Sequence, residues 1–112
     1  MAQGRSETSA RAQFQVGECL FALGRTEEAA SELLKVDILY ASPAWSAAAL
    51  YEAGRCFDAL GDRDRATEQW RRVLDIGAAG DWAVMAQARL GVTDRPAITA
   101  ESSQTNIAND ID

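Results

Sequence analysis

Few side chains in this sequence are of a type that does chemistry, and their spacing limits what they could do. The two thiols, Cys19 and Cys56, stand 37 residues apart. Two close acidic pairs, Glu27-Glu28 and Asp62 with Asp64, resemble the paired carboxylates that share general acid and base work. Arg63, Arg65, Arg71 and Arg72 form a short basic cluster. Histidine is absent. That removes the commonest general base and metal ligand, and it leaves either cysteine without an activating partner. The acidic pairs each open a predicted helix, where the helix dipole favours negative charge. The arginines alternate with Asp62, Asp64, Glu68 and Asp75, so i,i+4 surface pairing accounts for them. No glycine-rich phosphate loop or nucleophile elbow is present. The expectation is a non-enzymatic protein with no cofactor and no metal.

Composition narrows the classes further. A chain of 112 residues, 47% hydrophobic and 25% charged, can bury one small core. Its net charge of −6 speaks against nucleic acid and against anionic lipid as partners. No apolar run approaches the roughly 18–20 residues of a membrane span, so no membrane insertion is expected. The first ten residues lack the apolar stretch of a secretory leader. The chain therefore reads as soluble and cytoplasmic, or as periplasmic if it is a fragment of an exported parent. Alanine occupies 22 positions and proline two, which predicts an all-α protein.

The elements that must position any site emerge from an internal repeat. A shift of 37 residues aligns Gly17 with Gly54 and Gly91, Cys19 with Cys56, and Ala22-Leu23-Gly24 with Ala59-Leu60-Gly61. The same shift aligns Ala29 with Ala66, Val36 with Val73 and Trp45 with Trp82. Residues 10–46 and 47–83 share 11 identities in 37. Each unit reads as two helices. In the second, Ser42 caps a helix with Pro43 at its first position, Gly61 stops it left-handed, and Asp62 caps the next. In the first, a helix starting near Ser6 or Ser9 turns at Gly24-Arg25, and Thr26 caps its successor. A third unit starts with Asp81 as cap, and its helix is expected to stop at Gly91, because Thr93-Asp94-Arg95-Pro96 cannot continue it. Residues 1–5 read as a flank and 6–91 as the helical domain. Its units run about 6–41 and 42–79, with a final helix over 81–91. Residues 92–112 read as a disordered acidic tail.

These residues resemble the tetratricopeptide repeat family, over roughly residues 6–91. The family's paired-helix pattern is met by Gly17 and Gly54, by Leu20 and Phe57, and by Gly24 and Gly61. It is met again by Ala29 and Ala66, by Leu33 and Trp70, and by Val36 and Val73. Gln13 departs from the pattern where Leu50 keeps it. Ala41 and Ala78 replace the usual proline, and the period is 37 instead of 34. The longer unit, with its Ser42-Pro43 start, is similar to repeat regions of bacterial envelope proteins of the Tol–Pal-associated kind. The resemblance implies a short α-solenoid of antiparallel helix pairs, about two and a half units long. Gly17 and Gly54 would admit a close neighbour, as would Ala29 and Ala66 on the second helices. Leu20, Leu23, Leu33 and Val36 would fill one seam, and Phe57, Leu60, Trp70 and Val73 the other.

The resemblance also implies a groove lined by first helices. Carried over, its lining is Arg11, Phe14, Glu18, Phe21 and Ala22, then Ala48, Tyr51, Arg55, Asp58 and Ala59. Phe14, Glu18 and Phe21, like Tyr51, Arg55 and Asp58, follow i, i+4, i+7 along one helix face. That face suits a peptide or protein partner, with Glu18, Arg55 and Asp58 setting its polarity. Equally, Phe14 and Tyr51 could be core residues and the charges a solvated face. The lack of a dense basic clamp argues against capture of a C-terminal carboxylate. If the groove binds, Tyr51→Ala or Arg55→Glu should abolish capture and leave the fold intact. Cys19 and Cys56 are expected to be reduced and buried. Trp45 and Trp82 are expected to pack on the end of the preceding second helix. A competing expectation is a structural element: a scaffold piece, a fragment of a longer array, or a chain that self-associates through its uncapped N-terminal helix pair.

Overall fold

The computed structural model describes residues 2–94, with side chains for residues 7–91. Among the described residues there are five helices and no strand: α1 (Ala2–Ala22), α2 (Thr26–Leu39), α3 (Pro43–Ala59), α4 (Arg63–Leu74) and α5 (Asp81–Asp94). Each helix packs on the next in the chain. The other helices in contact are α1 with α3 and α3 with α5. First helices thus form one layer and second helices the other, as in a short solenoid of helix pairs.

The two units turn in the same way. Gly24 and Gly61 both have φ +83°, a left-handed conformation that costs glycine nothing and other residues strain. After each glycine the backbone reaches back to the first helix. Arg25 N–H donates to Leu20 O at 2.9 Å, and Asp62 N–H donates to Phe57 O at 2.8 Å. The Asp62 carboxylate accepts from Arg65 N–H at 3.0 Å, a full side-chain cap on α4. Ser42 stands at the cap position of α3, but its hydroxyl donates to Glu7 at 2.9 Å instead of accepting from the helix. Thr26 and Asp81 are not caps. Each is the first residue inside its helix.

The mid-helix glycines mark close approach. A Cβ on Gly17 would lie 2.5 Å from Leu33 Cγ, and one on Gly54 would lie 2.3 Å from Trp70 Nε1. Leu33, Val36, Trp70, Val73, Ala29 and Ala66 are all fully buried, as the pattern requires. Leu23 and Leu60 do not fill the seams. Both are exposed, because they fall at the end of the helix beside the left-handed glycine.

Both helix ends differ from expectation. Helix α1 begins at Ala2, inside the expected flank. Helix α5 runs through Asp94, three residues beyond Gly91, and ends just ahead of the Arg95-Pro96 dipeptide. The rest of the expected tail, 95–112, lies outside the described residues.

The thiols differ as well. Both are free; Cys56 is buried, but Cys19 is exposed. Burial pushes the Cys56 thiol up to about 11, with Glu52 adding to the shift. In dilute native chain at pH 8, a maleimide is therefore expected to label Cys19 within minutes and Cys56 only on unfolding. Two thiols labelled at the same rate would contradict this assignment.

Candidate functional site

The expected groove residues separate into two groups. Phe14 and Tyr51 are core residues, with only 6% and 3% of their surface exposed. Phe14 on α1 packs against Trp45 on α3, ring centroids 5.3 Å apart. Tyr51 on α3 packs against Trp82 on α5 at 5.6 Å. The two pairs are related by the 37-residue shift. Trp45 and Trp82 therefore reach back to the preceding first helix. Each pair ties one first helix to the next, worth about 0.5–1.5 kcal/mol beyond burial. The Tyr51 hydroxyl accepts from Arg89 Nε at 3.0 Å, which satisfies its polar end. Ala48 is buried too.

The second group faces solvent from α1 and α3. Glu18 is exposed, and Phe21, Arg55 and Asp58 are half-buried. The Arg55 guanidinium lies over the Phe21 ring at 5.4 Å from its centroid, a cation–π contact across the two first helices. The same guanidinium pairs with Glu52 at 2.9 Å. Asp58 pairs with Arg63 at 3.2 Å. Partial burial, then the Glu52 charge, raise the Glu18 carboxyl above its ordinary value. Arg11, Ala22 and Ala59 remain exposed on the same side. The accessible surface is thus one aromatic ring under one guanidinium, bordered by carboxylates.

Sequence reasoning missed Glu52 and Arg89. Glu52 stands three residues before Arg55, a helical pairing distance that could have flagged it. Arg89 is 38 residues from Tyr51, and no local pattern announces that contact. In the basic cluster on α4, Arg65 pairs locally with Asp62 at 2.9 Å, while Arg72 reaches Asp37 on α2. Among the described residues, no three acidic or cysteine side chains converge as a metal site would need. A separate cleft of about 550 Å³ lies between the ends of α2 and α4, lined by Asp37, Tyr40, Pro43, Ser46 and Ile76 among others. It contains none of the expected groove residues.

Helix pairs repeated at a fixed period, with first helices in one layer and glycine turns in register, define the class of helical repeat proteins. Within that class the chain belongs to the tetratricopeptide repeat family, whose model matches residues 11–40 and 48–76. The match is to the repeat in general and lends no support to the narrower envelope-protein likeness. No curated protein and no solved structure matches the chain. Tetratricopeptide repeats in general mediate protein–protein interaction. No helix of the described residues is long and apolar enough to cross a membrane.

Proposed function

We propose that this chain is a non-enzymatic module that binds a peptide or protein segment along the face shared by α1 and α3. The observation that carries the reading is Phe21 half-exposed beneath Arg55, with Glu18 and Asp58 beside them. An aromatic ring and a planar cation are the side-chain types most often found at the energetic centre of interfaces. Holding them against each other before binding lowers the entropy that binding must overcome. The net charge of −6 favours a protein partner over nucleic acid.

Burial redirects the test. Tyr51→Ala would hollow the core, so it cannot separate binding from folding. Phe21→Ala and Arg55→Glu alter accessible groups. The full chain is panned against a displayed peptide library, and each variant is assayed with the enriched peptides. Both variants are expected to bind at least about tenfold more weakly, with helical circular dichroism unchanged. Equal binding by wild type and both variants would refute the reading, as would a library that yields no enriched sequence. Among the described residues nothing covers the outer face of α1, which supports a second reading, assembly.

A further inference from the structure

The cleft at the ends of α2 and α4 holds a polar group that the fold does not use. Ser46 lines this cleft and is only 5% exposed. Its backbone N–H is bonded to Ser42 O at 2.8 Å. Its hydroxyl has no hydrogen-bond partner among the described residues. A buried hydroxyl without a partner is uncommon in a folded protein. Helix packing does not call for one here, since Ala83 stands at the same register position in the next unit. The helix end beside it is open too. Ser42, at the cap position of α3, makes no cap bond and donates to Glu7 instead. The N–H groups of Ala44 and Trp45 take no backbone acceptor among the described residues. Three donors thus stand open within one turn of α3.

We infer that this cleft binds a small uncharged molecule with a branched aliphatic body and a carbonyl oxygen. The Ser46 hydroxyl donates to that oxygen, and the body lies against Tyr40, Pro43 and Ile76. The chemistry of the lining selects this class. Open donors call for an acceptor. The start of a helix by itself would favour an anion. Two carboxylates oppose one here: Asp37 lines the cleft, and Glu7 is hydrogen-bonded to Ser42, which lines it too. Asp37 is held by Arg72 and so is not free to turn away. A neutral oxygen meets the donors without that repulsion. The volume of about 550 Å³ is of the size that small-molecule sites have, and three of its walls are apolar. None of these residues belongs to the face shared by α1 and α3, so the site stands apart from the proposed partner surface.

The test compares two probes of one shape, N-acetyl-leucine amide and N-acetyl-leucine, the second a carboxylate at neutral pH. Each is added to isotopically labelled full chain up to about 20 mM, and amide chemical shifts are followed. The amide is expected to move Tyr40, Ser46, Ile76 and Gly77 in a saturable way and to leave Glu18, Phe21, Arg55 and Asp58 still. The acid is expected to bind at least about tenfold more weakly. Asp37→Asn should narrow that gap by about threefold or more, because it removes one of the two opposing charges. Ser46→Ala should weaken the amide about three- to tenfold. The melting temperature of Ser46→Ala should not fall, because the hydroxyl it removes has no partner in the fold. Cleft amides unmoved by the amide probe would overturn the proposal. So would an acid that binds as well as the amide, a Ser46→Ala chain that binds equally, or one that melts lower than wild type. No peptide is present in this assay, so its failure leaves the groove reading standing.

Discussion

Trp70→Ala is expected to cost about 3–5 kcal/mol, the usual toll for emptying a fully buried tryptophan site. Small domains hold only about 5–15 kcal/mol in total, so this one change consumes much of the reserve. The indole is fully buried on α4. Its Nε1 donates to Tyr51 O at 3.1 Å, and Arg89 from α5 lies 5.9 Å from the ring centroid. Truncation therefore loosens α3, α4 and α5 together, and it leaves the Tyr51 carbonyl short of its indole donor. A thermal melt followed by circular dichroism is expected to lose its sharp transition or to shift down by more than 10 °C. Trp70→Leu should cost about half as much, because Leu33 fills the same register position over Gly17. A Trp70→Ala melt within a few degrees of wild type would show that the stack does not depend on this seam.

Gly54→Ala is the second large effect, and an unusual one, since alanine is the better helix former by about 1 kcal/mol. The added Cβ would lie 2.3 Å from Trp70 Nε1, 2.6 Å from Cδ1 and 2.7 Å from Cε2. A rigid ring held by a hydrogen bond cannot bend out of the way, so α3 and α4 must separate. Overpacking of this kind costs about 1–3 kcal/mol even after the helical gain. Gly17→Ala meets the Leu33 side chain, which rotates more readily, and should cost less. Gly91→Ala is the control: nothing described lies within 4 Å of its Cβ, so it should stabilise by up to about 1 kcal/mol. The expected order of melting temperatures is therefore Gly91→Ala above wild type, then Gly17→Ala, then Gly54→Ala. Combining Gly54→Ala with Trp70→Leu should cost less than the sum of the two. A Gly54→Ala chain as stable as Gly91→Ala would mean the glycine is not there for close approach.

Features fixed by one residue's own backbone or volume were legible in the sequence. Gly24 and Gly61 announced their turns because only a left-handed residue ends a helix so sharply. Gly17 and Gly54 announced close packing from their shared place in the repeat, whereas Gly91, in the same register, has nothing described within 4 Å of its Cβ. Asp62 announced its cap. What depended on neighbouring units was not legible. Cys19 and Cys56 share one register position, yet one is exposed and one buried, because burial there is set by the helix pair in front. Phe14 and Tyr51 share a face with Glu18 and Arg55, yet the next first helix covers the rings and leaves the charges out. The spacing i, i+4, i+7 spans an arc wide enough to hold both core and surface, and it cannot say where the boundary falls. The reach of Trp45 and Trp82 back to those rings is a contact between first helices, and no local pattern encodes it.

The surface joining α1 and α3 is the proposed seat of the partner. The most direct measurement is a titration of isotopically labelled full chain with a library-selected peptide, followed by amide chemical shifts. The largest shifts are expected on Glu18, Phe21, Arg55 and Asp58 and their neighbours on the two first helices, with α2 and α4 nearly silent on their solvent faces. Shifts gathered on α2 and α4, or on the cleft around Tyr40 and Ile76, would contradict it.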